Sequence, residues 1–289
     1  MGEVRLAQEE WERVPGCAKS IAAGGVNQVA VVGCGGPLAA DKLHFWRVQG
    51  MGGRFEPEAG GDQMLRWVFR DRVQREAMSA VASWLAINAR GYLYAIGPDA
   101  LLYRSEKPIS TGNSTDWQQF PGTQSGFDGM QLTAVAVGGS LDHDNLWVIS
   151  GEQNGPGGNK IYYAAPCAKM NDLASGQCWQ EAGGAARKVA VGNKVWVVSV
   201  DGGIFRRDGK VWTPMPGCGR DIAARGDHVY VVGCDDRGES RIFKWSGRSW
   251  LDTHRVGKTL ALDVAGNPWV VTGAGEIWRR KPVVPDAIR

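Results

Sequence analysis

With 289 residues, 33 Lys and Arg, 30 Asp and Glu and a formal charge of +3, the chain offers no clustered basic face of the kind that binds nucleic acid. No apolar run approaches the roughly 20 residues that cross a bilayer, and the polar start Met1-Gly2-Glu3 reads as lacking a signal peptide. The 41 Gly and 13 Trp suit many short strands joined by tight turns.

In chain order, residues 1–10 form a polar approach, and Trp11 opens a pattern that the chain then repeats. Trp11 leads to Val29-Ala30-Val31-Val32 and Leu43-His44-Phe45-Trp46. Phe55 leads to Tyr92-Leu93-Tyr94 and Leu101-Leu102-Tyr103-Arg104. Between them lies an insert, residues 58–80, whose stretch from Gly61 to Met78 is expected to form a short helix over a rim. Trp117 leads to Leu146-Trp147-Val148-Ile149 and Ile161-Tyr162-Tyr163. The copies at Trp179, Trp212 and Trp250 are the clearest. Each reads as a lead aromatic, a Gly turn, an apolar strand, a polar turn, an aromatic-Val-Val strand, a loop, and an Ile-aromatic-basic strand.

Four strands per unit, repeated nearly end to end, predict one all-β domain spanning 1–289. It is expected to be a six-bladed β-propeller of four-stranded antiparallel blades. The last copy supplies only three strands, ending near Arg280, so the N-terminal strand at Trp11 is expected to close the last blade and remove the open edges. The strands Val29–Val32, Val195–Val198, Val229–Val232 and Trp269–Val271 are apolar at every position, which means both faces are covered. Trp147, Trp196, Tyr230 and Trp269 hold one equivalent place there and read as packing between blades.

Six cysteines fall in places that suit disulfides. Cys17 and Cys34 flank a hairpin centred on Gly25-Val26, and Cys218 and Cys234 flank one centred on Gly226. Each pair therefore faces itself across the open end of a hairpin. Cys167 and Cys178 bracket a loop and are positioned to close it. Three such pairs predict an oxidising compartment, secreted or periplasmic. Antiparallel pairing also sorts the connections by face. Most surplus length, at 35–42, 57–80, 121–131, 152–160 and 235–240, falls on one face, where binding is expected, and the Cys167–Cys178 loop is the exception on the opposite face.

No catalytic constellation is present. His44, His143, His228 and His254 lie on different repeats, with no zinc spacing and no G-x-S-x-G elbow. Gly257-Lys258-Thr259 lacks the first Gly of a phosphate loop and leads into a strand. Asp142-His143-Asp144-Asn145, and Asp235-Asp236 with Glu239, are oxygen-rich but lack a complete spaced calcium set and read as polar turns. Asn113-Ser114-Thr115 is a glycosylation sequon. No metal, cofactor or enzymatic activity is expected.

What recurs is aromatic and basic chemistry at strand ends: Trp46-Arg47, Tyr103-Arg104, Phe205-Arg206-Arg207, Phe243-Lys244-Trp245 and Trp278-Arg279-Arg280. Aromatic planes stack on the C–H faces of sugars, and charged groups bond their hydroxyls. The expected ligand-binding set is Trp46, Arg47, Trp67, Arg70, Tyr103, Arg104, Arg207, Asp235, Trp245 and Arg280. Repeated weak sites bind strongly to a multivalent surface. The other reading is a protein–protein interaction scaffold using the loop-rich face, with the insert as part of the interface.

The unit W-x-x-x-P-G … I-A … Asn/Asp-x-Trp/Tyr-V-V … G-x-I-Phe/Trp-R-R resembles the tectonin repeat. The match is best at Trp212-Thr213-Pro214-Met215-Pro216-Gly217 with Asp221-Ile222-Ala223, and at Trp11-Glu12-Arg13-Val14-Pro15-Gly16 with Ser20-Ile21-Ala22. It recurs at Gly266-Asn267-Pro268-Trp269-Val270-Val271. The resemblance covers most of Trp11 to Arg280. The second and third units depart from it, with Phe55 in place of the lead Trp and the Pro-Gly lost. It implies a β-propeller lectin similar to fish-egg lectins and horseshoe-crab lipopolysaccharide-binding lectins. The implied partners are glycans or lipopolysaccharide, bound without catalysis.

Overall fold

The computed structural model describes residues 10–25, 28–34, 43–49, 52–57, 63–67, 75–79, 82–106, 108, 117–120, 131–139, 144–166, 177–235 and 239–281. The chain is all β. It begins with β1 (Trp11–Ala23), β2 (Val29–Gly33), β3 (Leu43–Gln49) and β4 (Gly52–Pro57), followed by the pair β5 (Gln63–Trp67) and β6 (Arg75–Ser79). Next come β7 (Trp84–Ile87), β8 (Leu93–Ile96), β9 (Leu102–Ser105) and β10 (Trp117–Gln119). The following group is β11 (Leu132–Gly139), β12 (Asp144–Gln153), β13 (Asn159–Pro166) and β14 (Gln177–Ala186). Then come β15 (Lys188–Val191), β16 (Val195–Val198), β17 (Gly203–Asp208) and β18 (Val211–Cys218), and β19 (Asp221–Arg225), β20 (His228–Val232), β21 (Ser240–Trp245) and β22 (Trp250–Gly257). The chain closes with β23 (Thr259–Leu262), β24 (Pro268–Val271) and β25 (Glu276–Arg280).

Each group of four strands pairs antiparallel in chain order, giving an all-β propeller of four-stranded blades. The expected six separate blades are corrected in one respect. Hydrogen bonding gives five sheets of four or more strands, because one of them has seven, in the order β23-β24-β25-β1-β2-β3-β4. The reason is β1, which is too long for a single blade. Its first half pairs with β25, from Trp11 opposite Arg280 to Cys17 opposite Glu276. Its second half pairs with β2, from Ala18 opposite Gly33 to Ala23 opposite Val29. The first described strand and the last are thus zipped together.

The insert is also corrected. The helix expected over 61–78 is a β-hairpin in its described parts, with Gln63 opposite Ser79 and Trp67 opposite Arg75. Its apolar residues follow a helical period only roughly. A hairpin satisfies the backbone groups of this short segment without an apolar stripe of helical period.

The strands apolar at every position are buried at every position: Val29–Gly33, Val195–Val198 and Pro268–Val271. Neighbouring blades cover both faces, so the core lies in layers between blades. One layer joins Trp147, Ile149 and Ile161 to Val189, Val195 and Val197. The next joins Trp196, Val198 and Ile204 to Ile222, Val229 and Val231.

Cys17–Cys34 and Cys218–Cys234 are disulfide-bonded, with Cα atoms 5.4 and 5.6 Å apart. Of the expected Cys167–Cys178 pair, Cys167 lies outside the described residues and only the backbone of Cys178, on β14, is described. Both bonds occupy the same place in their repeats. Each ties the crossover that leaves an outer strand to the second strand of the next blade. Beside each crossover lies a glycine of the preceding blade: Ala18 N donates to Gly275 O at 2.9 Å, and Gly219 N to Gly202 O at 2.8 Å. A Cβ on Gly275 would lie 2.7 Å from Cys17 Sγ, and Gly202 and Gly275 have φ of +91° and +83°.

Each bond closes a short loop, 17 and 16 residues in sequence separation. The chain-entropy model gives about 3 kcal/mol for a loop of this size. Cys218→Ser with Cys234→Ser is therefore expected to lower Tm by roughly 5–10 °C. Thermal scans of the variant and the unaltered protein check this, and reductant should then lower Tm further in the unaltered protein than in the variant, which keeps only Cys17–Cys34 of the two bonds.

Candidate functional site in the clefts between blades

The inner strands β1 (second half), β7, β11, β15, β19 and β23 line one axial cavity of about 90 Å³. They run in the same direction, because their starts meet at one end and their ends at the other. At the starting end, the buried Asp221 carboxylate accepts from Thr259 Oγ1 at 2.6 Å and Leu260 N at 3.0 Å. Lys188 Nζ lies 3.5 Å from the same carboxylate and 3.6 Å from the centre of the Trp84 ring, across the axis. At the far end, Arg225 Nη2 donates to Ala23 O and Ile87 O, both at 3.0 Å. The longer connections and both disulfides flank the starting end, here the loop face. The short turns lie at the other, the turn face, where β9 and β13 also end before their longer connections to β10 and β14.

The third strand of each blade runs from the loop face to the turn face. Its aromatic-basic end is therefore carried to the turn face. There it meets the aromatic of the second strand in direct register: Trp196 opposite Arg206, Tyr230 opposite Lys244, Trp269 opposite Arg279 and Tyr94 opposite Arg104. The cations lie over the rings at 5.9 Å for Arg206, 5.6 Å for Lys244 and 5.5 Å for Arg279. The Trp147 blade differs, because Tyr163 replaces the cation and stacks on Trp147 at 5.0 Å and 26°.

The missing cation is supplied from the next blade. Arg207 reaches into the cleft, 5.2 Å from the Trp147 ring, 5.8 Å from Tyr163 and 5.2 Å from Trp212. Its Nη1 donates to Ala182 O at 2.8 Å and its Nε to Gly209 O at 3.1 Å. Burial among the rings pulls its pKa down from the usual guanidinium range. In the following cleft, Trp196, Trp245 and Trp250 form a triangle with centroids 5.0–6.1 Å apart. In the next, Arg255 lies 3.7 Å from the Trp278 ring and 5.7 Å from Trp11. Tyr163, Trp212, Trp245, Trp250, Trp278 and Trp11 are all half-buried, so each keeps part of its ring in solvent.

The lead tryptophans also fix the clefts. Trp212 Nε1 donates to Gly183 O at 2.9 Å, and Trp250 Nε1 to Pro216 O at 2.7 Å. These carbonyls are turned outward by a β-bulge in the outer strand of the preceding blade. The register slips at Gly183-Gly184, at Pro216-Gly217, at 253–255 and at Pro15-Gly16. Gly16, Gly183, Gly184 and Gly217 have φ of +126°, +67°, +77° and +93°, and His254 has +56°. Where His254-Arg255 replaces Pro-Gly, the partner Trp11 has no acceptor for its Nε1 among the described residues.

The expected binding residues do not converge. Tyr103 is fully buried, its Oη donating to Asp99 Oδ2 at 2.6 Å. Arg104 lies 5.5 Å from the Tyr92 ring, and Trp245 belongs to the tryptophan triangle. Arg280 is opposite Trp11 in the closing ladder. Asp235 is on the loop face, its carbonyl accepting from Ser240 Oγ at 3.0 Å. Trp46, Arg47 and Trp67 fall on β3 and β5, but only their backbone is described, and Arg70 lies outside the described residues. Of the set, Arg207 is the one at the centre of an aromatic cleft. Its neighbours Trp147, Tyr163 and Trp212 come from other repeats. Their motif positions were readable, but the cleft that unites them was not. Arg255 carried no signal, since it falls where the repeat has Pro-Gly.

Among the described residues no group of three His, Cys, Asp or Glu is placed to hold a metal ion. Asp144, from the oxygen-rich 142–145 stretch, accepts from Tyr94 Oη at 2.7 Å, Asn88 Nδ2 at 2.9 Å and Arg90 Nη2 at 2.9 Å. Asp142, His143, Asp236 and the sequon at 113–115 lie outside the described residues. Among those described, no helix is long and apolar enough to cross a membrane.

No family model matches the sequence, and no curated protein matches it. Solved structures match in fold. A luciferin-regenerating enzyme aligns with TM-score 0.54 and 10% identity over 95% of this chain and 96% of its own. The WD40 β-propeller domain of Doa1 aligns with TM-score 0.51 and 8% identity over 95% and 97%. A streptogramin B lyase aligns with TM-score 0.50 and 11% identity over 94% and 97%. At such identities the likeness is one of fold, and it spans enzymes and a WD40 domain alike.

The bulge geometry makes a paired prediction. A Cβ on Gly184 would lie 2.9 Å from Trp212 Nε1, while one on Gly183 meets nothing within 4 Å. Both have positive φ, so each alanine costs about 1–2 kcal/mol in backbone strain. Gly184→Ala is expected to cost roughly 1–3 kcal/mol more than Gly183→Ala, because Trp212 must shift from its carbonyl. Urea unfolding of the two variants, with the near-ultraviolet tryptophan signal recorded, measures the difference.

Proposed function

We propose that this chain is a non-catalytic carbohydrate-binding propeller. It recognises glycans or lipopolysaccharide through its repeated aromatic and basic clefts, in a secreted or periplasmic setting. The observation that carries this reading is the recurrence of one chemistry at successive interfaces. Half-buried tryptophan edges stand beside a guanidinium at Arg207 and again at Arg255, and cluster at Trp245 and Trp250 in the cleft between. Aromatic faces suit sugar C–H surfaces, and the cations suit hydroxyls, carboxylates and phosphates. The two disulfides support an oxidising compartment. The resemblance of the repeat to tectonin units supports the same class of ligand.

We further read the seven-stranded sheet as two blades sharing β1, making six around the axis. Six inner strands on the cavity support this count. Regularly spaced clefts then provide multivalency. Each cleft alone binds weakly, and a surface carrying many copies of a sugar is held by several at once.

Arg207 is the residue to remove. Arg207→Ala is expected to weaken binding to a glycan-coated surface by about tenfold or more, since loss of one cleft is amplified by avidity. Binding of free monosaccharide to the remaining clefts should change far less. The measurement is a glycan array that includes phosphorylated and lipopolysaccharide-derived sugars, followed by surface binding of the variant. Silence across the array, with a protein specifically captured through the loop face, would establish the scaffold reading in its place.

A further inference from the structure

Arg225 closes the turn-face end of the axial cavity. It is the last residue of β19, and other inner strands end there in Gly24, Gly138 and Gly192. A Cβ on Gly138 would come within 3.0 Å of Val191 Cβ, and one on Gly24 within 2.8 Å of Asn88 O. The inner strands converge at this end, and Arg225 is the long side chain reaching across it. Its Nη2 is fully used by Ala23 O and Ile87 O. Its Nε and Nη1 are out of solvent and find no acceptor among the described residues.

A guanidinium stays protonated in proteins, and a buried charge with open donors is strongly unfavourable unless answered. One carboxylate bears on it, and it is engaged elsewhere. Asp263 acts on Arg225 through its charge. Its Oδ1 accepts from Ala265 N and Asn267 N, and its Oδ2 from Asn267 Nδ2. Asp221 is at the opposite end of the cavity, held by Thr259, Leu260 and Lys188. The side chains between are largely aliphatic, among them Ile21, Leu85, Val137 and Val191.

We propose that the axial cavity binds a small monovalent anion, a halide or a short carboxylate, against one of the open donors of Arg225, Nε or Nη1. With both Nη2 protons spent, no fork of two parallel N–H groups remains for a phosphate. Single donors suit a spherical ion or one carboxylate oxygen. The bound anion completes a cross-brace that ties β19 to β1 and β7, so its binding is coupled to stability.

The test uses the full chain. Crystals are soaked in bromide and, separately, in formate, and thermal unfolding is followed with each salt at constant ionic strength. A bromide anomalous peak at hydrogen-bonding distance from the Arg225 guanidinium, with Tm raised by about 3 °C at saturating salt, is the expected result. A formate oxygen at that position without bromide assigns the site to carboxylates. In Arg225→Met the salt-dependent rise should vanish. Because that variant also loses two hydrogen bonds between blades, the bromide map of the unaltered protein decides. Water alone against Nε and Nη1, or bromide only on the outer surface, overturns the proposal. These results are independent of whether any glycan binds.

Discussion

The rest of the structure depends on one strand being hydrogen-bonded along both of its halves to different partners. β1 gives Trp11–Cys17 to β25 and Ala18–Ala23 to β2, so the closing blade receives its outer strand from the other end of the sequence. Without that exchange β25 would be an open edge, exposed to pairing with another chain. The ion pairs along this seam, Arg13 with Glu276, Arg279 with Glu12 and Lys281 with Glu10, are partly exposed. Pairs of that kind contribute little. The ladder and the burial of Val14 and Ile277, at 2% and 0% exposure, hold the seam. Cys17–Cys34 anchors β1 where it changes partners. Arg225, reaching from β19 to Ala23 and Ile87, braces the same seam from the axis.

Closure fixes the ring, but the spacing between blades is set by a second device. In four outer strands a bulge turns the backbone out of register. In two of them the exposed carbonyl takes the indole N–H of the next blade's lead tryptophan. A bulge is where a strand both bends and frees a carbonyl. A tryptophan with one donor at the edge of a large apolar ring matches that opening. The Pro-Gly of the repeat and the Trp of the following repeat are thus two halves of one joint. The exception follows the same logic. His254-Arg255 has no Pro-Gly, and there Trp11 exchanges its carbonyl for a guanidinium that also covers Trp278.

Much of this was legible in the sequence because it is local or periodic. The aromatic-Val-Val strands announced their burial on both faces. The Cys17–Cys34 and Cys218–Cys234 pairs followed from hairpin symmetry, and the Trp11 closure from a missing fourth strand. The illegible parts depend on relations between repeats. Residue order does not show that Arg207 crosses into the cleft of Trp147, or that Arg225 spans the axis to strands 138 and 202 positions away. The blade count was misjudged in form because sequence has no marker for a strand shared by two sheets. The insert was misjudged because a rough helical period in a short segment is weaker than the pairing available to a hairpin.

The fold separates two resources that sequence reasoning had placed together. Both described disulfides and most long connections collect at the loop face, those after β9 and β13 excepted, while the third strands carry their cations toward the opposite face. This division is forced by antiparallel order, since a strand that leaves a loop must end at the other side. The loops and the cations of the aromatic-cation rungs therefore lie at different ends of the blades. The rungs are the more uniform of the two. Their geometry comes from strand register rather than from loop sequence, so Trp196–Arg206, Tyr230–Lys244 and Trp269–Arg279 repeat the same juxtaposition at 5.5–5.9 Å. The rings of these rungs are buried, so what they repeat is the fastening of each second strand to its third.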